Sequence, residues 1–517
     1  MSQSISESRR EHAHVVAICL AATACWIAFR YYTGIILEDA LITWRYAEHL
    51  AQGAGFTFNP GERVLGTTTP ILAVVLAAAA LITGTSWLPT VAISLMIACG
   101  AATGWLVYRA LRVAGFTHAV SLIAAATLLL HADIVWSTVG GMETPLVLLL
   151  MAATLYASIT ERYYLTAAGV AVMPFVRPDA VIWVMLILVH AAWYGRRRVV
   201  APALIAALLM IAGAMVLTAY FGSPVPHSVV AKRTIGPGSA ETLSWYQVQG
   251  WLNWIIGASG VNPFGGRIER VAIWPWLGLI GIGAMLVLRR SSTRVLWPLV
   301  AFPPALALAF LVTQAPHFLW YLIPYTACLC VLGGIGLAHL CEARWPAGRV
   351  HVRVAIFAVA LLQIAAFAHA MRSTTDWHWR NQRNEREVRQ AIGEWLNVHT
   401  RPDATVLMEA IGYQGTISGR RVIDLAGLIS PRVVELQRQS RSNGDAFVRI
   451  LKEFAPDYVV LRSIEVRENQ HFHGGKLFES QRDADAFHAA YQAAVTYTAP
   501  HPEIWMTGSS VTVYSRR

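Results

Sequence analysis

The sequence predicts a polytopic α-helical membrane protein with a small α/β domain at its C-terminal end, and three observations predict it. Of the 517 residues, 56% are hydrophobic and 14% charged, a balance too apolar for a water-soluble chain. Apolar runs suited to crossing a bilayer recur from residue 14 to residue 371. From residue 372 the composition turns to that of a soluble domain, with β-branched runs between amphipathic ones. The formal charge of +11 does not indicate nucleic acid, because many of the Lys and Arg residues sit in short loops between apolar runs, where they fix topology.

Residues 1–13 read as a cytoplasmic N-terminus. The first span, 14–32, ends in Arg30-Tyr31-Tyr32 without a small-residue cleavage site, so it reads as a retained anchor. The first outer loop is 33–87. Inside it, Glu38-Asp39 opens a helix whose Leu41, Ile42, Tyr46 and Leu50 recur at helical spacing, while Arg45, Glu48 and His49 are polar. That pattern predicts a helix lying on the membrane surface, with its two acids at the lipid boundary. The apolar piece from Pro70 to Gly84 is short for a crossing. Had it crossed, Arg109, Arg112 and Arg196-Arg197-Arg198 would all fall outside, so it reads as a dip into the outer leaflet.

Further spans follow at 88–108 and 118–136, then one returning to Glu161-Arg162, two short ones within 163–195 broken at Arg177-Pro178-Asp179, and one at 199–221. An outer loop from 222 to 271 carries Lys232, Trp245, Trp251 and Trp254. The last four spans lie near 272–289, 295–313, 318–340 and 351–371, for a total of about eleven, N-terminus inside and C-terminus outside. The tail, 372–517, is expected to be an extracytoplasmic α/β domain with its own small core. A helix is expected over Glu385 to His399 and strands at Thr405–Met408, Arg421–Leu425, Tyr458–Leu461 and Ser510–Tyr514. All six cysteines fall within or beside apolar spans, which implies no disulfide framework.

Under this topology Glu38, Asp39, Glu143, Arg177 and Asp179 all lie at the outer ends of spans, where boundary charges tend to be functional. Asp39 has a plain alternative as a helix cap. Arg177 has two readings as well. It pairs with Asp179 across the proline break, or its guanidinium fork holds a phosphate at the membrane surface. Lys232, Arg63 and His317 are further outer-face cations for a substrate or its phosphate. In the tail, Asp483-Ala484-Asp485 and His471-Phe472-His473 resemble metal motifs but lack neighbouring ligands, and no phosphate-binding glycine loop occurs anywhere.

These residues carry a resemblance. Glu38-Asp39-Ala40, Arg45-Tyr46-Ala47, Asn59-Pro60-Gly61-Glu62-Arg63-Val64, Gly141-Met142-Glu143-Thr144-Pro145, Arg177-Pro178-Asp179 and Tyr220-Phe221-Gly222-Ser223-Pro224 together resemble the GT-C glycosyltransferases that use polyprenyl-phosphate sugars. The branch holding the mycobacterial terminal arabinofuranosyltransferases is the most similar, and Ile411-Gly412-Tyr413 and Ile423-Asp424-Leu425-Ala426-Gly427-Leu428 look like that branch too. The resemblance implies a multi-pass plasma-membrane enzyme with an extracytoplasmic site. A first-loop acid, Asp39 with Glu38 beside it, would act as base, and arabinofuranose or another pentose or hexose would move from a polyprenyl phosphate to an extracytoplasmic glycan, lipid or protein with inversion. No cofactor is required by it; a divalent metal is an option, with Glu38, Asp39 and Glu143 as oxygen donors. The chain departs from the branch at Leu65-Gly66-Thr67-Thr68-Thr69-Pro70, where relatives often carry an acidic or aromatic residue, which implies a different sugar or acceptor. A lipid or glycan transporter is the competing class. It predicts repeated halves and charges deep within spans, and this sequence shows neither.

Overall fold

A computed structural model of the chain describes residues 2–235, 267–313, 318–343, 350–466, 477–505 and 508–517. Contacts divide it into two compact units. One gathers Met1–Tyr32, Ala92–Gly213 and Glu241–Asp376, the other Thr33–Val91, Ala214–Ala240 and Trp377–Arg517.

The first unit is all helical. Among the described residues of the whole chain, seven helical stretches are long and apolar enough to cross a membrane, or eight if the bent pair His118–Leu129 and Ala132–Val139 is one span. The stretch Pro178–Phe221 counts once but is broken at Arg196, whose φ of 49° takes the chain out of the helix between Val181–Gly195 and Val200–Phe221. Thr144–Ile159 and Tyr163–Val176 are shorter apolar helices. Helices therefore stand where the apolar runs predict them, with seven or eight long and apolar enough to cross against the eleven expected, and the protein is a multi-pass membrane protein.

Ile323–Glu342 is the hub of this unit and is buried along nearly its whole length. Small residues permit that. A Cβ on Gly336 would collide with the carbonyl of Leu279, and one on Gly283 with the carbonyl of Leu332, so glycines at both positions let Arg267–Arg289 and Ile323–Glu342 touch backbone to backbone. By contrast Leu204, Leu208, Ile211 and Met215 on Val200–Phe221 are exposed, as lipid-facing side chains are.

The second unit is built on a five-stranded mixed sheet, β1 (Thr405–Met408), β2 (Arg421–Asp424), β3 (Tyr458–Arg462), β4 (Tyr491–Thr498) and β5 (Ser510–Arg516), in the order β2-β1-β3-β5-β4. β1 pairs in parallel with β2 and β3, and β5 pairs antiparallel with β3 and β4. Four strands stand where the β-branched runs predict them. The fifth, β4, carries mostly exposed residues, and only Val495 and Tyr497 hint at alternation.

Strand alternation gives the sheet two apolar faces. Leu407, Ile423, Val459 and Leu461 pack under Val433, Leu436, Phe447, Ile450 and Phe487 of the tail's own helices. Val406, Met408, Val422, Val460 and Val513 point to the other face, and much of what covers them comes from far away in sequence: Ile42, Tyr46, Phe56 and Phe58 of the first loop, beside Val388, Ile392 and Leu396. The expected boundary at 372 thus does not separate two cores. One helix runs from Val350 to Asn384 and continues through a π-helical turn, Glu385–Gln390, into Ala391–His399.

The first-loop helix, Glu38–Ala51, is correspondingly not a surface helix with one wet face. Ala40 through Ala47 are all buried, including Arg45, which the helical pattern assigns to a polar side. The Arg45 guanidinium donates to the carbonyls of Phe58 (2.9 Å), Arg420 (3.0 Å) and Gly415, and lies 4.2 Å from the Phe58 ring centroid. Asn59 behaves like a piece of strand. Its amide donates to the Val422 carbonyl at 2.8 Å and accepts from the Val422 N–H at 3.0 Å, closing the free edge of β2. Pro70–Thr83 belongs to the same unit and, at 14 residues, is about 21 Å long, short of a bilayer core.

Two outcomes follow. Arg45→Met removes the donors of two buried tail carbonyls and should lower the unfolding free energy by about 2–5 kcal/mol, read as a large fall in melting temperature of the detergent-purified protein. Residues 372–517 expressed alone should expose the Val406, Met408 and Val422 face and aggregate, whereas the same segment supplied with residues 33–91 should be soluble; equal solubility of the two would contradict the shared core.

Candidate functional site

The sequence-predicted residues fall into the two units. Glu143, Arg177 and Asp179 belong to the first; Glu38, Asp39, Arg63 and Lys232 belong to the second. His317, the tryptophans at 245, 251 and 254, and the histidines at 471 and 473 lie outside the described residues.

In the first unit, Pro178 ends the helix Tyr163–Val176 and leaves Arg177 in an extended conformation. Its side chain is almost wholly buried. Nε and Nη2 donate to the two carboxylate oxygens of Asp179 at 2.8 and 3.0 Å, and Nη1 donates to the Trp320 carbonyl at 3.0 Å. Glu143 stands 4.0 Å away and the Tyr321 ring 5.0 Å away. Every nitrogen of the fork is thus engaged by protein. Of the two readings of Arg177, internal pairing is the one this geometry supports, because a phosphate would have to displace Asp179 from a bidentate bond.

In the second unit the two adjacent acids at the start of Glu38–Ala51 point to different partners. Glu38 faces the tail. Its oxygens accept the N–H groups of Gly412 (2.7 Å) and Tyr413 (3.2 Å), and Arg389, itself bonded to Glu385, lies 3.7 Å away. Gly412 has to be glycine, since a Cβ there would strike the Glu38 backbone. Burial pushes the Glu38 carboxyl up to about 7, against the pull of Arg389 and with a push from Glu385. Glu38 is therefore an anchor between the first loop and the tail.

Asp39 makes no such bond to the tail. Its carboxylate is 29% exposed and stands 3.8 Å from the Lys232 ammonium, an ion pair too long for a hydrogen bond. Lys232 is carried by the helix His227–Ile235, which is tied to the first loop where the His227 N–H donates to the Leu65 carbonyl at 2.7 Å. Arg63 is exposed and lies over the Tyr220 ring at 5.0 Å, on the rim of the same loop. The Tyr220 hydroxyl in turn accepts the Phe56 N–H at 3.0 Å.

Sequence reasoning missed the positioning roles of Arg45, Asn59, Glu385 and Arg389: the first two bond to the tail some 360–375 residues away, and the last two lie in the tail itself. Asp483 is accounted for by local structure: with Ser480 it forms the capping box of Gln481–Ala490, and Asp485 accepts from Gln481 at 2.9 Å. Among the described residues no three His, Cys, Asp or Glu side chains form a metal-holding group.

With this geometry in view, comparisons with known proteins define the fold. Residues 376–514 match the model of a domain of unknown function (DUF8728). No curated protein matches the sequence. Among solved structures, ArnT from Cupriavidus metallidurans bound to undecaprenyl phosphate is similar at TM-score 0.59 and 12% identity, over 97% of this chain and 97% of that one. The Archaeoglobus fulgidus oligosaccharyltransferase is similar at TM-score 0.55 and 12% identity, over 86% of this chain and 68% of that one. A mycobacterial arabinofuranosyltransferase, AftD, reaches TM-score 0.49 at 14% identity, over 96% of this chain and 40% of that one, too little to separate branches. The chain has the GT-C glycosyltransferase fold.

The Glu38 anchor has a pH signature. Its folded-state value lies above the usual 4.5, so its contribution to stability is complete below about pH 4.5 and is lost as pH rises through about 7. The melting temperature should fall between about pH 5 and pH 8, each such group adding up to about 1.4 kcal/mol per pH unit. Asp424, pushed up to about 7 by burial, adds a slope of the same sign. Glu38→Gln, which keeps an acceptor for Gly412, should flatten the slope without abolishing it; identical slopes in the two proteins would show that Glu38 does not titrate there.

Proposed function

We propose that the protein is a membrane glycosyltransferase that moves a sugar from a polyprenyl phosphate to a hydroxyl of an extracytoplasmic acceptor. The GT-C fold supports the class. The single observation that carries the site is the Asp39–Lys232 pair, a partly exposed carboxylate and an ammonium 3.8 Å apart at the head of the first-loop helix. A lipid-linked donor is supported by the membrane spans and by the undecaprenyl phosphate bound to ArnT, and a phosphate leaving group supplies the energy that a nucleotide would otherwise supply. The sugar is left open between arabinofuranose and other pentoses or hexoses, all of which belong in the donor panel.

The chemistry then runs through this chain's own residues. Arrival of the donor phosphate draws the Lys232 ammonium away from Asp39, exchanging one ion pair for another and leaving Asp39 as a free base. Asp39 takes the proton of the acceptor hydroxyl, whose oxygen forms a bond to the anomeric carbon from the face opposite the phosphate. The carbon–oxygen bond to phosphate breaks with its electron pair going to the lipid phosphate, where Lys232 balances the new charge. Configuration inverts. Glu38, held by two N–H groups and Arg389, fixes the helix that presents Asp39, and Arg177 braces the first unit instead of binding phosphate.

Asp39→Asn is nearly isosteric and should lower turnover by about 100-fold or more with donor affinity nearly unchanged. Lys232→Met should instead weaken donor binding by about 1.5–3 kcal/mol. Both are measured by single-turnover transfer from radiolabelled polyprenyl-phosphate sugars and by donor-lipid binding. Near-normal turnover in Asp39→Asn would remove it as the base.

A further inference from the structure

The second unit, which holds the Asp39–Lys232 pair, also contains buried hydroxyl groups without a hydrogen-bond partner among the described residues. Asp39 is 29% and Lys232 15% exposed, whereas Thr43, one turn along from Asp39, Ser228, one turn back from Lys232, and Thr69 are nearly fully buried. Thr43 and Thr67 bond to one another at 2.9 Å, and the Thr69 N–H donates to the Thr67 hydroxyl at 3.2 Å. The Thr69 and Ser228 hydroxyls have no hydrogen-bond partner among the described residues. An unsatisfied buried hydroxyl costs about 1–3 kcal/mol, so each needs a reason.

Thr69 sharpens the point. It is the N-cap of Pro70–Thr83, the position where a threonine side chain ordinarily accepts an N–H of the first turn, yet it makes no capping bond. Forgoing a cap gives up about 0.5–2 kcal/mol. The segment Leu65-Gly66-Thr67-Thr68-Thr69-Pro70 is also held in place firmly: Tyr46 donates its hydroxyl to the Val64 carbonyl at 2.5 Å and accepts the Gly66 N–H at 2.9 Å, and Leu65 is joined to His227. Thr67, bonded to Thr43 one turn along from Asp39, and His227, bonded to Leu65 and next to Ser228, thus tie both hydroxyl-bearing segments to the helices that carry Asp39 and Lys232.

The structure assigns these hydroxyls a ligand: we infer that Thr69 and Ser228 recognise hydroxyl groups on the sugar ring of the donor and set which sugar is transferred. The inference rests on the glycosyltransferase reading above. Neutral groups with both hydrogen-bonding roles suit sugar hydroxyls better than phosphate, which the cation serves. In an inverting transfer the acceptor oxygen and the phosphate lie on opposite faces of the anomeric carbon, so once Lys232 has followed the phosphate the ring hydroxyls come to rest against the segments tied to the Asp39 and Lys232 helices. A site built to bond a substrate hydroxyl discriminates strongly against the analogue lacking it.

The test compares wild type, Thr69→Val and Ser228→Ala on the polyprenyl-phosphate pentose or hexose that the wild type transfers, and on its singly deoxygenated analogues. Each variant should lose about 10- to 100-fold in kcat/KM on the full sugar, chiefly through donor KM, and should treat the sugar and one particular deoxy-sugar alike. Melting temperature should stay level or rise, because an unsatisfied group has been removed. Unchanged discrimination across all deoxygenated donors, or a loss that follows deoxygenation of the acceptor instead, would overturn the assignment while leaving the transferase reading intact. Absence of transfer from every donor by the wild type would sink the transferase reading and this inference with it.

Discussion

The second unit depends on one buried guanidinium. Arg45 is fully enclosed and spends its donors on three carbonyls, one from the first loop and two from the tail. An arginine so placed is costly to desolvate, and it is tolerated because its donors find fixed acceptors and its plane lies on the Phe58 ring. That single interaction locks the helix Glu38–Ala51 onto the β-sheet, and the rest follows from the lock. Glu38 can reach Gly412 and Tyr413, Asn59 can complete β2, and Asp39 is left at the head of a helix that cannot roll.

A base gains from such fixation. General-base catalysis requires that the carboxylate stay in line with the reacting hydroxyl, and a helix end in a mobile outer loop would not hold it there. Here neighbouring acids divide the work. Glu38 is held by backbone N–H groups and Arg389, and Asp39 stands 3.8 Å from the Lys232 ammonium, which in the proposed reaction passes to the donor phosphate. The pair of Arg177 with Asp179 plays a comparable bracing role in the first unit, closing a proline break and binding the Trp320 carbonyl.

Much of this was legible in the sequence. Apolar runs located the membrane helices because bilayer thickness dictates their length, and β-branched runs located β1, β2, β3 and β5 because buried strands need them. Glu38, Asp39 and Lys232 stood out because charges near span ends are rare. What could not be read was long-range. Arg45 was assigned to a polar face because helical periodicity cannot see carbonyls supplied by Gly415 and Arg420, some 370 residues away. The same blindness made the tail look self-contained, although Ile42, Tyr46, Phe56 and Phe58 form part of its core. Arg177 carried two readings because one sequence pattern, a cation and an acid around a proline, serves either.

The central claim is that Asp39 and Lys232 form the reaction centre. Its most direct measurement is the structure of the Asp39→Asn variant trapped with a polyprenyl-phosphate sugar. The account predicts the donor phosphate within about 4 Å of the Lys232 ammonium, and the sugar ring against the head of the first-loop helix with Arg177 still bonded to Asp179. A phosphate seated on Arg177, with Asp179 displaced and Lys232 remote from the lipid, would contradict it.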